Sequence, residues 1–113
     1  SRSIKSGSRL EQSFWIAERL KDLAVKLNVP VIALSQLSGI VDKRGDHRPQ
    51  QEDLNYSFAG GQVSDLIIFP YRESYYSSQK SEAEIMEIIV AKQKDGVTGV
   101  IHRPWNSQKG QLN

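Results

Sequence analysis

Apolar residues recur every three or four positions near the start of the chain, with charged residues between them. This apolar set comprises Leu10, Phe14, Ala17, Leu20, Ala24 and Leu27. Such spacing places its members on one face of a helix. Ser8 and Glu11 have the spacing of a capping box, in which each side chain accepts a hydrogen bond from the other residue's backbone N–H. The pattern therefore predicts an amphipathic helix from about residue 9 to residue 27, ended by Asn28 and by the residue before Pro30.

Four later segments have the pattern of strands. The run Val29–Leu34 is almost wholly apolar and stops at Ser35-Gln36. A helix followed at once by such a run is typical of an α/β layer with a buried parallel strand. Leu66–Phe69 is predicted as a second buried strand, closed by Pro70. Two further strands, Ile85–Lys92 and Thr98–Arg103, are predicted to form a hairpin, because the pair Asp95-Gly96 between them favours a tight turn.

The remaining segments are polar. Residues 38–53 mix positive and negative side chains without periodicity, and long connections of this kind are usually functional or disordered. A short helix is predicted over Asp53–Gln62, weakened by Gly60-Gly61, and a polar loop over Tyr71–Glu82. We expect one domain over residues 1–113, with residues 1–8 and 104–113 as loose ends.

Composition narrows the possible functions only a little. The net charge of +2 and the pI near 9.0 are mildly basic and do not by themselves indicate nucleic-acid binding. The chain has no cysteine and two histidines, so disulfides are excluded and a zinc site is not expected. No apolar run reaches the length of a membrane helix, and no signal peptide opens the chain. We therefore expect a cytoplasmic protein with no membrane partner.

The candidate chemistry consists of groups that could bind anions. Gln36 follows the first apolar run, where its amide could hydrogen-bond a phosphate oxygen or an attacking water, or simply cap a turn. Lys92 and Lys94 share one strand face if alternation holds, which suits a phosphate or an ordinary exposed strand end. Tyr71 and Arg72 could stack on a base or pack internally. The residues alone therefore indicate part of an α/β domain with candidate anion contacts.

Five ordered blocks resemble the DnaB family of replicative DNA helicases. The resemblance covers about residues 9 to 101, and the blocks are Leu20–Ser38, Arg48-Pro49 with Asp53-Leu54, Asp65–Arg72, Tyr75-Tyr76 and Ile89–Gly99. It implies a partial RecA-like (P-loop NTPase) sheet with flanking helices and a C-terminal antiparallel hairpin. It also implies part of an ATP-driven motor, in a hexameric ring of identical subunits that moves along single-stranded DNA and unwinds the duplex. ATP and Mg²⁺ would serve the intact domain, with primase and a helicase loader as partners.

The resemblance also implies roles for individual residues. Gln36 matches a glutamine that senses the γ-phosphate. Lys92 matches a lysine that reaches the nucleotide of the neighbouring subunit, and Lys94 stands at the arginine-finger position. Arg72 is predicted to bind nucleotide. The predicted DNA contacts are Arg48, Asn55, Tyr56, Ser57 and Phe58.

The chain departs from the family pattern in ways that leave other functions open. Lysine at position 94 keeps the charge of a finger but not its two-pronged geometry. The DNA loop lacks the family's arginine and glycine, and Gly39 and Gly60 replace an arginine and a glutamate. No phosphate-binding loop, catalytic glutamate or Mg²⁺-binding aspartate motif occurs in these residues. We therefore predict that the chain alone binds no ATP or Mg²⁺ and does not hydrolyse ATP.

Missing motifs also have a structural consequence. In a RecA-like sheet the strand of the phosphate-binding loop would lie between the strand ending at Gln36 and the strand ending at Phe69, so two edges are predicted to be unpaired. The alternatives are a fragment of another RecA-like ATPase, of recombinase or circadian-clock type, and a non-catalytic interaction module derived from a helicase.

Overall fold

The computed structural model describes residues 8–37, 39–54, 60–76 and 84–113. The chain divides into two compact units. The first, here called the helical unit, consists of residues 1–41 and 50–64; the second, the sheet unit, consists of residues 42–49 and 65–113. The expectation of one domain over the whole chain stays a prediction. No helix among the described residues is long and apolar enough to cross a membrane.

Helix α1 opens the helical unit and spans Arg9–Leu27, as predicted. The capping box is present: the Ser8 hydroxyl accepts from the Glu11 N–H at 3.2 Å, and a Glu11 carboxylate oxygen accepts from the Ser8 N–H at 3.3 Å. Asn28 ends the helix in the left-handed conformation, with φ 54°. Asparagine tolerates this conformation better than most residues, so the stop is local in origin.

The apolar face of α1 is buried mainly near its centre. Ala17 is 5% exposed, whereas Leu10 and Leu27 at the two ends of the face are exposed. The other three predicted face residues are half-buried, namely Phe14, Leu20 and Ala24. The periodicity therefore identified the face correctly, and burial weakens toward the helix ends.

The predicted strand over Val29–Leu34 is wrong. Residues 29–37 pair with no strand among the described residues, and Ile32 and Leu34 are 88% and 96% exposed. An apolar run becomes a strand only when a neighbouring strand satisfies its backbone N–H and C=O groups. The described part of the chain supplies no such neighbour, so the sequence pattern alone did not determine the outcome.

Short helices interrupt the polar segment that follows. A 3-10 helix spans Gly39–Lys43, and helix α2 spans Gln51–Leu54. Asp53 is 2% exposed and its carboxylate accepts a hydrogen bond from the Gln50 N–H at 2.7 Å. The helix predicted from residue 53 therefore begins two residues earlier, and its predicted continuation over residues 55–59 lies outside the described residues.

The sheet unit contains four described strands, which pair antiparallel in the order β1-β2-β3-β4. Their bounds are Leu66–Tyr71, Glu84–Gln93, Gly99–Asn106 and Gln111–Leu112, and helix α3 spans Glu73–Tyr76. Helix α3 falls where a loop was predicted over Tyr71–Glu82. The C-terminal antiparallel hairpin predicted from sequence is confirmed by β2 and β3.

Strand β1 differs from the fully buried strand that its composition predicted. Burial alternates along it, with Ile67, Phe69 and Tyr71 buried and the residues between them exposed. The predicted stop at Pro70 is also wrong, because the strand continues to Tyr71. Among the described strands β1 pairs only with β2, so it lies at a sheet edge, where the missing N–H of proline costs no ladder hydrogen bond.

The connection between β2 and β3 lies where it was predicted, around Asp95-Gly96. It runs from Lys94 to Thr98, with the Gly96 N–H donating to the Gln93 carbonyl at 3.4 Å. A two-residue type I′ turn needs positive φ at both central residues, and Asp95 and Gly96 are not among the described residues with positive φ. The hairpin and its tight turn were therefore predicted correctly, and the turn is not of type I′.

One register shift marks the pairing of β1 with β2. Ile68 lies opposite Val90 and Ile67 lies opposite Lys92, so Ala91 is an extra residue on β2. This arrangement is a β-bulge, which bends the strand and increases its twist. The bulge lies immediately before Lys92, one of the predicted nucleotide contacts.

The end of the chain is not the loose segment predicted from residue 104. Strand β3 continues through Pro104 to Asn106, and β4 folds back onto it. Arg103 donates to the Asn113 carbonyl at 3.2 Å, and the Asn113 N–H donates to the Pro104 carbonyl at 3.0 Å. Gly110, with φ 64°, supplies the left-handed residue in the turn before β4. Polar composition suggested a loose tail, but backbone pairing orders it.

Candidate functional site

Two lysines stand at the end of β2, next to the hairpin connection. Lys92 is half-buried and lies opposite Ile67, so it shares the sheet face on which Ile67 is buried. Lys94 is exposed and begins the connection to β3. Its backbone N–H donates to the Asp65 carbonyl at 2.9 Å, which ties the start of the connection to the residue before β1. The hairpin therefore presents two cations from one anchored segment.

Arg72 lies against aromatic rings directly after β1. Its guanidinium carbon is 5.2 Å from the centre of the Trp105 ring and 6.0 Å from that of Tyr75. Planar guanidinium and aromatic groups offer flat faces to a purine base as well as to each other. The Trp105 Nε1 is buried and has no hydrogen-bond partner among the described residues. Sequence reasoning missed Trp105, whose signal was a large aromatic residue in an otherwise polar tail.

Arg48 is held by an acidic partner on the sheet. Its Nε donates to one Glu87 carboxylate oxygen at 3.1 Å, and its Nη2 donates to the other at 2.8 Å. The Glu87 side chain is only 12% exposed. Its hydrogen bond to Arg48 raises the pKa of the guanidinium above its ordinary value. The same guanidinium lies 5.1 Å from the centre of the Tyr71 ring.

Further polar contacts surround Arg48. Its backbone N–H donates to the Asp46 carboxylate at 3.0 Å, and this bond is the main cause that lowers the pKa of Asp46. Arg44 donates through Nη2 to the Arg48 carbonyl at 2.9 Å. On the sheet, His102 Nε2 lies 3.7 Å from a Glu87 carboxylate oxygen. Arg48 therefore joins the polar segment to β2.

A cluster of aromatic rings lies beside the pair formed by Arg48 and Glu87. The rings of His47 and Tyr76 stack with centres 4.1 Å apart and planes 2° from parallel. Tyr76 also contacts Tyr71 at 5.9 Å and meets Tyr75 edge-on at 5.0 Å. Burial raises the pKa of Tyr71 and, less strongly, that of Tyr76; hydrogen bonds to Glu73 and Asp42, respectively, add to this. Of the paired tyrosines noticed in the sequence, Tyr76 thus packs against other aromatic rings, whereas Tyr75 is largely exposed.

Gln36 belongs to the helical unit, whereas Lys92, Lys94 and Arg72 belong to the sheet unit. Gln36 is exposed at the end of the unpaired segment, where its carbonyl accepts from the Ser35 hydroxyl at 3.4 Å. The predicted DNA contacts Asn55, Tyr56, Ser57 and Phe58 lie outside the described residues.

The positively charged and planar side chains among the described residues are suited to contacts with a nucleoside triphosphate. They are not the carboxylate ligands that its Mg²⁺ ion would need. Lys92, Lys94 and Arg72 can offer positive charge to phosphate oxygens, and Trp105 can offer a stacking surface. The described residues contain no group of three or more acidic, histidine or cysteine side chains that could hold a metal ion. The described residues therefore offer groups that could contact a nucleotide, and its binding to this chain stays a prediction.

The protein-family model described as the DnaB-like helicase C-terminal domain matches residues 1–113 of this sequence. The chain belongs to this helicase family. It is 43% identical over 94 residues to the replicative DNA helicase DnaB of Geobacillus stearothermophilus, covering 83% of this chain and 21% of the relative. It is 42% identical over 103 residues to the DnaB of Haemophilus influenzae, covering 91% of this chain and 22% of that protein.

Solved structures support the same assignment. One, a solved ATPase domain, matches with a TM-score of 0.88 and 39% identity, over 96% of this chain and 38% of that one. A DnaB-like replicative helicase, solved to show its interactions with primase, also matches with a TM-score of 0.88 and 39% identity, over 96% and 26% of the two chains. The partial helicase fold predicted from sequence is thus confirmed. The chain spans about a fifth of the curated DnaB relatives described above.

Proposed function

We propose that this chain is part of the ATP-driven motor domain of a hexameric replicative helicase, which translocates on single-stranded DNA and unwinds duplex DNA. The observation that carries the proposal is the anchored pair Lys92 and Lys94 at the end of β2, in a chain of the DnaB family. In a ring of identical subunits, these lysines would contact the nucleotide of the neighbouring subunit. Gln36 would act on the nucleotide of its own subunit.

The proposed chemistry is electrostatic. Phosphoryl transfer gains most of its catalysis from positioning and from positive charge near the phosphoryl oxygens. Lys94 supplies charge at the finger position but lacks the two-pronged donor of arginine. Arg72 and Trp105 would offer the base a flat surface. ATP brings the transferable phosphoryl group, and Mg²⁺ would neutralise charge between its phosphates.

The DNA contact is proposed for residues Asn55–Phe58. Tyr56 and Phe58 supply rings on which bases of a single strand could stack, and stacking of this kind tolerates any sequence. One similar helicase is described with its interactions with primase. We accordingly propose primase and a helicase loader as partners of this protein, and the cytoplasm as its location.

A phosphate-release assay with Mg·ATP tests the motor assignment. The purified chain of 113 residues is expected to show no turnover above buffer, because its sequence has no phosphate-binding loop. A longer natural protein that contains both this sequence and such a loop is expected to hydrolyse ATP faster with single-stranded DNA. Turnover by the chain alone, or an inactive longer protein, would contradict the proposal.

The alternative of a non-catalytic interaction module rests on the departures from the family pattern at positions 39, 55, 58, 60 and 94, of which the lysine at position 94 is tested here. In the longer protein, Lys94→Arg is expected to raise the DNA-stimulated rate by about tenfold, since a well-placed arginine finger can contribute far more than that. Lys109→Arg, in the turn before β4, is the matched control and is expected to leave the rate unchanged. An unchanged rate for Lys94→Arg would favour the interaction module.

A further inference from the structure

The side chain of Gln93, the last residue of β2, lies against the backbone of Gly96 in the connection to β3. A Cβ atom added at position 96 would stand 2.7 Å from the Gln93 Cδ and 2.8 Å from its Nε2, closer than packed atoms come. The φ angle of Gly96 is not positive, so a residue with a Cβ could adopt this backbone conformation. What glycine provides at position 96 is therefore space, and the Gln93 amide fills that space.

Lys94 lies between the two residues of this contact. Gln93 and Gly96 meet a second time through the backbone, because the Gly96 N–H donates to the Gln93 carbonyl at 3.4 Å. The Lys94 N–H donates to the Asp65 carbonyl at 2.9 Å. The side chain of Lys94 is exposed and forms no ion pair with another residue that the structure describes. The position of its ammonium group therefore depends on the conformation of the backbone from Gln93 to Gly96.

We propose that Gln93 is a positioning residue for Lys94. By packing on Gly96, its side chain holds the connection in the conformation that directs Lys94 toward the nucleotide of the neighbouring subunit. The inference rests on the proposed function, because Lys94 is the group that would act on the phosphates of that nucleotide. A displacement of about 1 Å in a group that acts on the transition state can cost about a hundredfold in rate. Gln93 thus sets the efficiency of Lys94 without touching the nucleotide itself.

Substitutions on both sides of the contact test the proposal in the longer, ATP-hydrolysing protein. Gly96→Ala places a methyl group where the Gln93 amide lies, and Gln93→Ala removes that amide. Each is expected to lower the DNA-stimulated kcat by about fivefold and to leave the KM for ATP within about twofold, because Lys94 would act on the transition state. The double variant is expected to be no slower than Gln93→Ala alone, since alanine at position 93 leaves space for the added methyl group.

Two further variants separate this contact from a general disturbance. Gln93→Met keeps the length of the side chain and is expected to retain more than about half of the parental kcat. Gly45→Ala is the matched control: it adds a methyl group at another exposed glycine, where the new Cβ has no described neighbour within 4 Å, and should leave kcat and KM unchanged. Parental kcat in both Gly96→Ala and Gln93→Ala overturns the proposal. A double variant whose loss equals the product of the two single losses overturns it as well.

The failure of this proposal can be told from the failure of the proposed function. If Lys94→Ala keeps the parental kcat, the proposed role of Lys94 fails. The restraint by Gln93 has a readout that does not depend on activity, namely hydrogen exchange of the amides of residues 94–96 without nucleotide. Exchange there is expected to be at least about threefold faster in Gln93→Ala than in the parent, and unchanged in Gly45→Ala. Equal exchange in Gln93→Ala and the parent overturns the proposal, whatever the result for Lys94.

Discussion

Tyr71 carries a hydroxyl group onto the buried face of β1, where it donates a hydrogen bond to the Glu73 carboxylate. Burial, followed by this bond, raises the pKa of Tyr71 above its ordinary value of 10.0. The folded state thus holds the phenolic proton more tightly than the unfolded state. The resulting stability is complete below the unfolded pKa of about 10 and is lost as the pH rises above it.

We expect Tyr71→Phe to lower the unfolding free energy at pH 7 by about 1 kcal/mol, through loss of the hydrogen bond. The variant should also lose less stability than the parent between pH 9 and pH 11. Part of the alkaline loss should remain, because the pKa of Tyr76 is raised as well. Urea unfolding across this range is the measurement. Tyr75→Phe, at a side chain that is 71% exposed, is the matched control and should cost less unfolding free energy at pH 7 than Tyr71→Phe. An equally steep loss in Tyr71→Phe would refute the prediction.

Individual residues also show the limit of sequence reasoning. Arg48 stays a predicted DNA contact, and its guanidinium also forms a pair with Glu87, a residue 39 positions away, which sequence reasoning did not anticipate. No local pattern identifies such a pair, since nothing in the periodicity of β2 marks Glu87 as its partner. Trp105 was missed for a related reason: its contact with Arg72, which follows β1, depends on how β2 and β3 pair in the sheet.

Among the elements, α1 depends most on local signals. We expect Ser8→Ala to reduce the unfolding free energy by about 1 kcal/mol, because the Glu11 N–H loses its capping acceptor. Ser13→Ala is the matched control: its hydroxyl bonds the Leu10 carbonyl inside the helix, and alanine favours the helix interior. Urea unfolding followed by helical circular dichroism measures both. Equal losses in the two variants would show that the cap does not stabilise the helix.

Strand β2 contains the bulge at Ala91, immediately before Lys92. Deleting Ala91 would make the ladder regular, because Val90 and Lys92 keep their partners Ile68 and Ile67. We expect the local twist to decrease and the hairpin tip to move. In the longer, ATP-hydrolysing protein, turnover should fall at least about tenfold, while stability changes by about 1 kcal/mol or less. Ala91→Ser, which keeps the bulge, should stay near the parental rate. Parental turnover after the deletion would show that the bulge does not position the lysines.

At the scale of the whole molecule, we expect the exposed apolar segment 29–34 to control how strongly the purified chain self-associates in water. Ile32 and Leu34 are 88% and 96% exposed, and their backbone pairs with no strand that the structure describes, an arrangement that promotes association between chains. We expect Ile32→Lys with Leu34→Lys to shift the purified chain toward the monomer, as measured by sedimentation at increasing concentration. Val97→Lys, at an 85% exposed residue in the hairpin connection, should have little effect. Equal effects would indicate that charge alone is responsible.

Local sequence patterns predicted the structure correctly wherever a residue acts on backbone groups that lie only a few positions away in the chain. The helix Arg9–Leu27 was predicted with its cap and its stop, since Ser8, Glu11 and Asn28 act on neighbouring backbone groups. The hairpin of β2 and β3 was predicted for the same reason, because its strands adjoin one short connection. The family followed from ordered blocks of sequence, and so did the partial helicase fold, which the matching structures confirm.

Tertiary structure alone decided the features that depend on distant partners. The run Val29–Leu34 has the composition of a strand, but a strand also requires a neighbour with free N–H and C=O groups, and the described residues provide none. The tail beyond residue 104 has the composition of a loop, yet pairing between β3 and β4 orders it. Arg48 and Glu87 follow the same rule: the sequence supplied two opposite charges, and only the packing of the segment on β2 made them a pair.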